Sequence, residues 1–332
     1  MDTIPVIDIA PFRDGTATEQ QAVAGAVADA CTSLGFLIIE GHGVADSLVD
    51  EMRTVSRAYF DRPLEEKLKL RMPPDRYRGY ISLGSEALSY SLDEESPPDF
   101  KESFSIGPID PADDAYHRSA APGKFFAPNF WPESPPGFRP IWEAYYREME
   151  RVATTLMRIF ALGLGMDKHY FDDKVDRHIT NFSVLHYPEQ AKPPLPGQLR
   201  AGAHTDYGSL TILKPDNAPG GLQVQKDDNW IDVPTLPGTF IVNLGDLMAD
   251  WTNDRWVSTL HRVVNPPRAQ ALGSRRLSMA FFHQPNYDAV IECLPTCSEA
   301  GRPPRYSKTT SGEHVWMKIN KHRTPDLAGA QA

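Results

Sequence analysis

His204-Thr-Asp206 and, with 54 residues between, His261 are the residues of this chain best placed to hold a metal ion. Side chains two apart on a strand point the same way, so His204 and Asp206 can reach one ion. The triplet alone carries little weight, because 10 histidines and 44 acidic residues in 332 give about one such match by chance. Its context is Ser258-Thr-Leu-His-Arg-Val-Val264, a β-type run that can return His261 to a neighbouring strand. Two imidazoles and one carboxylate form the facial ligand set of non-haem Fe(II), which leaves the opposite coordination positions open. A zinc hydrolase uses a similar set, so the ligands leave the metal open. Arg276 and Ser278 follow 15 and 17 residues after His261 on the next β-run and point to one side of it. A guanidinium fork beside a hydroxyl suits a carboxylate. The same alternation carries Ala280 and Phe282 inward, which makes Phe282 a candidate substrate contact. Tyr207, next to Asp206, is a second.

These residues need a β framework. From Ile179 onward short β-type runs alternate with turns: Ile179 to Tyr187, Ser209 to Leu213, Leu222 to Gln225, Trp230 to Val233, Thr239 to Leu244, His261 to Val264 and Arg276 to His283. That density of strands predicts a sandwich or barrel. Upstream, Ile4 to Ile9 reads as a strand, Gln20 to Leu34 as a helix, Gly35 to Val44 as a buried strand with glycine turns, and Asp46 to Phe60 as a helix. Ile141, Tyr145, Met149, Val152, Leu156 and Ile159 step by three and four, predicting a long scaffold helix stopped at Gly163. Residues 71–140 show little period and read as loop material over a site. Within them Glu86, Asp93, Glu94, Glu95, Asp99, Lys101 and Glu102 lie among Tyr90, Phe100 and Phe104, which suggests an acidic lid and an amine-bearing substrate. The fold class is α+β with a mainly β core and flanking N-terminal helices.

With 41% hydrophobic and 23% charged residues the chain is globular, and its length buries enough core to need no structural metal. A net charge of −10 repels phosphate backbones and anionic bilayers, so neither nucleic acid nor membrane is an expected partner. No stretch is apolar enough to span a bilayer, and the start lacks a signal-peptide pattern. Cys31, Cys293 and Cys297 form neither a redox pair nor a zinc ribbon, and read as thiols of a cytoplasmic protein. Coiled-coil heptads are absent, so a monomer is expected.

In sequence order, several further motifs join the candidate ligands. Ile4-Pro-Val-Ile-Asp8, Gly35-Phe-Leu-Ile-Ile-Glu-Gly-His-Gly-Val44 and Asn129-Phe-Trp-Pro132 with Pro136-Gly-Phe-Arg139 precede the catalytic half. There His204-Thr-Asp206, Gly220-Gly-Leu-Gln-Val224, Pro237-Gly-Thr-Phe240, Asn243-Leu-Gly-Asp246, Trp251-Thr-Asn253, His261-Arg-Val263 and Arg276-Leu-Ser278 follow in that order. With these motifs the chain resembles, over nearly its whole length, the 2-oxoglutarate/Fe(II)-dependent dioxygenases of the isopenicillin N synthase-like family.

The resemblance implies a double-stranded β-helix, or jelly roll, with Fe(II) held by His204, Asp206 and His261. It implies that Arg276 and Ser278, helped by Tyr187, bind the far carboxylate of 2-oxoglutarate, and that O₂ is consumed with it. The expected reaction couples decarboxylation of 2-oxoglutarate to hydroxylation of a small organic metabolite through a ferryl oxidant; desaturation and cyclisation draw on the same chemistry. Two alternatives keep the fold: an oxidase that uses Fe(II) and O₂ without 2-oxoglutarate, and a non-catalytic sensor. The chain is expected to be one dioxygenase domain over 1–332, comprising an N-terminal region 1–140, a scaffold helix 141–175, a jelly-roll core 176–290 and a C-terminal extension 291–332.

Overall fold

A computed structural model describes residues 3–73, 76–89, 96–119 and 121–322. The chain opens with β1 (Val6–Asp8), α1 (Ala10–Asp14), α2 (Ala17–Ser33), β2 (Phe36–Glu40), α3 (Asp46–Phe60) and α4 (Leu64–Leu68). The region before the long helix holds β3 (Gly79–Ile81), β4 (Glu102–Ile106) and α5 (Ala115–Arg118). The long helix is α6 (Phe138–Gly163), followed by α7 (Asp172–Val175), β5 (Asn181–Tyr187), β6 (Ala201–His204), β7 (Leu210–Pro215), β8 (Leu222–Lys226), β9 (Asn229–Asp232) and β10 (Phe240–Leu244). Last come α8 (Asp246–Trp251), β11 (His261–Val263), β12 (Arg276–His283), β13 (Val290–Ile291), β14 (Thr309–Thr310) and α9 (Ser311–His322).

The strands form an eight-stranded sheet, β1-β2-β10-β7-β12-β5-β4-β3, and a four-stranded sheet, β6-β11-β8-β9, with β13 and β14 as a separate pair. The two larger sheets enclose a small apolar cluster containing Phe36, Ile38, Tyr187, Val224, Ile241 and Val263, and together make the expected jelly roll. The outer face of the large sheet packs on α6, whose Trp142, Tyr145 and Tyr146 meet Phe182 while Tyr146 also meets Phe281. Strand alternation divides the two faces. On β12, Leu277, Met279 and Phe281 join the helix-side core, whereas Arg276, Ser278, Ala280 and Phe282 line an internal cavity. Among the described residues no helix is long and apolar enough to cross a membrane.

Two local readings change. Part of the segment taken as loop material is β3 and β4, which extend the large sheet beyond β5. Strand β4 does not look like one because Glu102 is buried in it, satisfied by Lys67 at 2.7 Å and His186 at 2.7 Å, while Phe104 and Ile106 take the core side. His204 ends β6 and Asp206 lies in the loop beyond it, so the two converge through that loop and not as alternate residues of one strand. The sequence Ala201-Gly-Ala-His204 lacks the β-branched and aromatic residues that mark strands.

Candidate active site

Antiparallel pairing of β11 with β6 sets His261 directly opposite His204, and their ring centroids lie 4.3 Å apart. The turn after β6 then folds Asp206 back between them. His204 Nε2 is 3.8 Å and His261 Nε2 3.7 Å from Asp206 Oδ1. One ligand atom from each residue falls within 4.8 Å of the others.

The outward atoms of the trio are all engaged. His204 Nδ1 lies 2.8 Å from the Gly202 carbonyl and His261 Nδ1 3.0 Å from the Thr259 carbonyl, so each Nδ1–H donates outward and each Nε2 lone pair faces inward. Asp206 Oδ2 accepts from Thr211 Oγ1 at 2.5 Å and Asn243 Nδ2 at 2.7 Å, which turns Oδ1 toward the imidazoles. Burial, then the neighbouring His261, lowers the pKa of His204 and favours the neutral, metal-ligating imidazole. Burial alone would raise the Asp206 carboxyl, but His261, His204, Asn243 and Thr211 together hold it below its ordinary value. Three inward lone-pair atoms with no proton between them fit a cation.

Asp206 owes its position to the Asn243-Leu-Gly-Asp246 segment. Besides the Asn243 bond, the Asp246 backbone N–H donates to the Asp206 carbonyl at 2.8 Å. Gly245 allows this approach, since a Cβ there would lie 2.3 Å from the Gly208 carbonyl oxygen. In the sequence Asn243 stands out only as the first residue of that motif; in the fold its amide orients a candidate ligand. Thr211 gave no sequence signal beyond its place in a β-run.

Beside the trio is a cavity of about 150 Å³, the size that holds a small organic molecule. All eight sequence-predicted site residues border it: His204, Asp206, His261, Arg276, Ser278, Tyr187, Tyr207 and Phe282. Arg276 faces Tyr187 across the β12–β5 pair, its guanidinium 5.5 Å from the ring centroid. It is 3% exposed, yet Nε has no partner and Nη1 makes only a 3.4 Å contact to the Gly220 carbonyl. A buried, underused guanidinium fits an anion. Leu185 and Ser278, paired across the same two strands, line the next rung.

The acidic lid is not what the described residues form. Lys101, itself buried, pairs with Asp99 at 2.8 Å and Glu86 at 3.2 Å, and Glu102 is bound to Lys67. Desolvating these carboxylates requires such partners, which leaves them committed. Asp93, Glu94, Glu95 and Tyr90 lie outside the described residues. Phe104 faces the helix-side core, stacked edge-on against Trp142 at 5.4 Å.

Comparison with known proteins follows the same line. Residues 178–285, which carry every one of the predicted site residues, match the model of the 2OG-Fe(II) oxygenase superfamily. The chain belongs to this superfamily. Residues 4–134 match the N-terminal model described as that of the non-haem dioxygenase in morphine synthesis. The oxygenase is 34% identical over 333 residues to a homoarginine-6-hydroxylase of Oryza sativa subsp. japonica, covering 95% of this chain and 96% of that one. It is 30% identical over 334 residues to the validamycin A dioxygenase of Streptomyces hygroscopicus subsp. limoneus, covering 98% and 88%. Among solved structures, a full-length Neurospora crassa protein crystallised in complex with α-ketoglutarate superposes with a TM-score of 0.83 at 32% identity, covering 96% of each chain. The enzyme is thus a 2-oxoglutarate-dependent dioxygenase using Fe(II) and O₂, and neither the co-substrate-free oxidase nor the silent sensor is favoured.

Proposed function

We propose that His204, Asp206 and His261 hold the iron of this oxygenase, and that Arg276 and Ser278, with Tyr187 behind them, hold the distal carboxylate of 2-oxoglutarate. The observation that carries the reading is the inward convergence of three ligand atoms within 4.8 Å whose outward atoms are each hydrogen-bonded. When bound, the iron couples oxidative decarboxylation of 2-oxoglutarate to succinate and CO₂ with oxidation of a substrate C–H bond.

The chain's own contribution is orientation and exclusion of water. Thr211 and Asn243 fix the Asp206 carboxylate. Gly202 and Thr259 carbonyls fix the imidazole tautomers. Arg276 supplies a fixed positive charge at the end of β12, and Leu185 gives the co-substrate's flank an apolar wall. Tyr207 and Phe282 border the space left for the substrate, a small organic metabolite. Relatives named for homoarginine and validamycin A, and the Neurospora crassa protein in complex with thymine, support that size class. Hydroxylation is the proposed outcome, as in the relatives named hydroxylases.

Residues 1–332 work as one domain on this reading: 1–140 and the scaffold helix region 141–175 support the core 176–290, and 291–332 extends it. A monomer suffices because every proposed site residue comes from one chain. A cytoplasmic setting agrees with the three free cysteines. The test is anaerobic addition of 2-oxoglutarate to Fe(II)-loaded protein, read by the visible charge-transfer absorption of the bound keto acid. The band is expected in wild type, weakened in Arg276→Met and lost in Asp206→Ala; an unchanged band in Asp206→Ala rejects the ligand assignment.

A further inference from the structure

The cavity has a second buried guanidinium, far from Arg276. Arg78 lies just before β3, is 1% exposed and lines the cavity. Its Nη1 donates to the Tyr77 carbonyl at 2.7 Å and its Nη2 to the Phe125 carbonyl, while Nε is buried without a partner. Among the described residues no carboxylate bonds to it. Asn181, 3.5 Å from Nη1, has its amide nitrogen best directed to the Ile106 and Tyr77 carbonyls and its oxygen to Ser183 Oγ, so it offers Arg78 no counter-charge. Burial pushes the guanidinium down to about 10, still charged at neutral pH. Gly107 makes room for it, since a Cβ there would lie 1.6 Å from Nη2.

Among the described residues, the buried Lys67 is matched with Glu102, and Lys101 with Asp99 and Glu86, whereas Arg78, Arg200, Lys214 and Arg276 are buried without a carboxylate partner. Of these four, Arg276 and Arg78 line the cavity, where a ligand can reach them. Burying an unpaired charge is costly unless a ligand completes it. The position of Arg78 also suits a substrate. Thr211, Phe282 and Asn181 share one rung across β7, β12 and β5. Thr211 holds Asp206 at one end of the rung and Asn181 adjoins Arg78 at the other, about 10 Å away at two strand spacings. Gln284, 6% exposed, also lines the cavity, with Oε1 buried and unpartnered close to Gly208.

We propose that Arg78 receives a carboxylate of the primary substrate, so that this oxygenase acts on an organic acid whose oxidised carbon lies several bonds from its carboxylate. One uncompensated positive charge matches a monoanion better than a phosphate dianion. Gln284 Oε1 accepts from a hydroxyl or N–H on the same molecule. The inference rests on the cavity being the oxygenase's substrate space, with 2-oxoglutarate at the Arg276 end.

The test uses full-length protein loaded with Fe(II) and 2-oxoglutarate under nitrogen. Calorimetry follows binding of straight-chain monocarboxylates from acetate to octanoate, phenylacetate and 3-phenylpropionate, each beside its primary amide. At least one acid is expected to bind about tenfold or more tightly than its amide, the scale of a lost charged hydrogen bond. Arg78→Gln should erase that preference with 2-oxoglutarate affinity unchanged, and Arg78→Lys should keep part of it. If Arg78→Gln does not fold, the wild-type acid–amide comparison and Arg78→Lys decide. No acid preferred over its amide in wild type, or a preference that survives Arg78→Gln, overturns the proposal. Failure of wild type to bind 2-oxoglutarate at all would instead reject the reading of the cavity on which it rests.

Discussion

Asn243→Leu removes one hydrogen bond from Asp206 while keeping the branched shape and the number of side-chain heavy atoms. Asp206 Oδ2 accepts two buried donors, Asn243 Nδ2 at 2.7 Å and Thr211 Oγ1 at 2.5 Å, each from a residue 2% exposed. A hydrogen bond to a charged group contributes about 1.5–3 kcal/mol. Removing a partner that orients a metal ligand weakens metal binding by about 10–100-fold, or roughly 1.4–2.7 kcal/mol. The two estimates agree, so Asn243→Leu is expected to weaken Fe(II) binding about 10–100-fold, and Thr211→Val by a similar amount. Because both donors act on one oxygen, the double variant should lose a different amount from the sum of the singles. Anaerobic calorimetry of Fe(II) binding, with circular dichroism to verify folding, reads the effect. If both single variants fold and bind iron within twofold of wild type, these donors do not position Asp206 and the reasoning fails.

Three further outcomes are expected. Arg276→Met should raise the 2-oxoglutarate Kd by about 10–150-fold with Fe(II) affinity unchanged, measured by titration under nitrogen; equal loss of both would mean a general structural role. Glu102 is buried, but hydrogen bonds from His186, Lys67 and Tyr80 hold its pKa below the ordinary value. Its folded-state pKa being depressed, its stabilisation is present above the ordinary glutamate pKa of about 4.3 and is lost as pH falls through the folded value. The Tm of wild type should therefore fall more steeply with acid below that pH than the Tm of Glu102→Gln, and parallel curves would refute this. Gly245→Ala should destabilise by about 1–3 kcal/mol, because its Cβ meets backbone at 2.3 Å, and should also weaken Fe(II) binding through Asp206; an unchanged Tm would contradict the packing argument.

What the sequence reveals is set by how local the signal is. The period of two on Arg276, Ser278, Ala280 and Phe282 places all four on the cavity face, as alternation requires. The three-and-four spacing of α6 marks the helix because one face meets a single apolar layer. Strand β4 stays hidden because Glu102 is buried there by partners more than thirty residues distant in sequence, Lys67 and His186. Thr211, Asn243 and Arg78 are ordinary residue types whose roles arise from contacts across strands. Nothing within a few residues of Arg78 foretells that its guanidinium lacks a carboxylate.

The central claim is that His204, Asp206 and His261 hold iron that consumes 2-oxoglutarate. Labelled 2-oxoglutarate incubated in air with Fe(II)-loaded protein tests it most directly, with succinate and CO₂ as the readout. The account predicts both products in equal amounts from wild type, and none above background from His204→Ala, Asp206→Ala or His261→Ala variants that remain folded. Turnover that persists in folded Asp206→Ala and His261→Ala, or O₂ consumption by wild type without succinate, would contradict it.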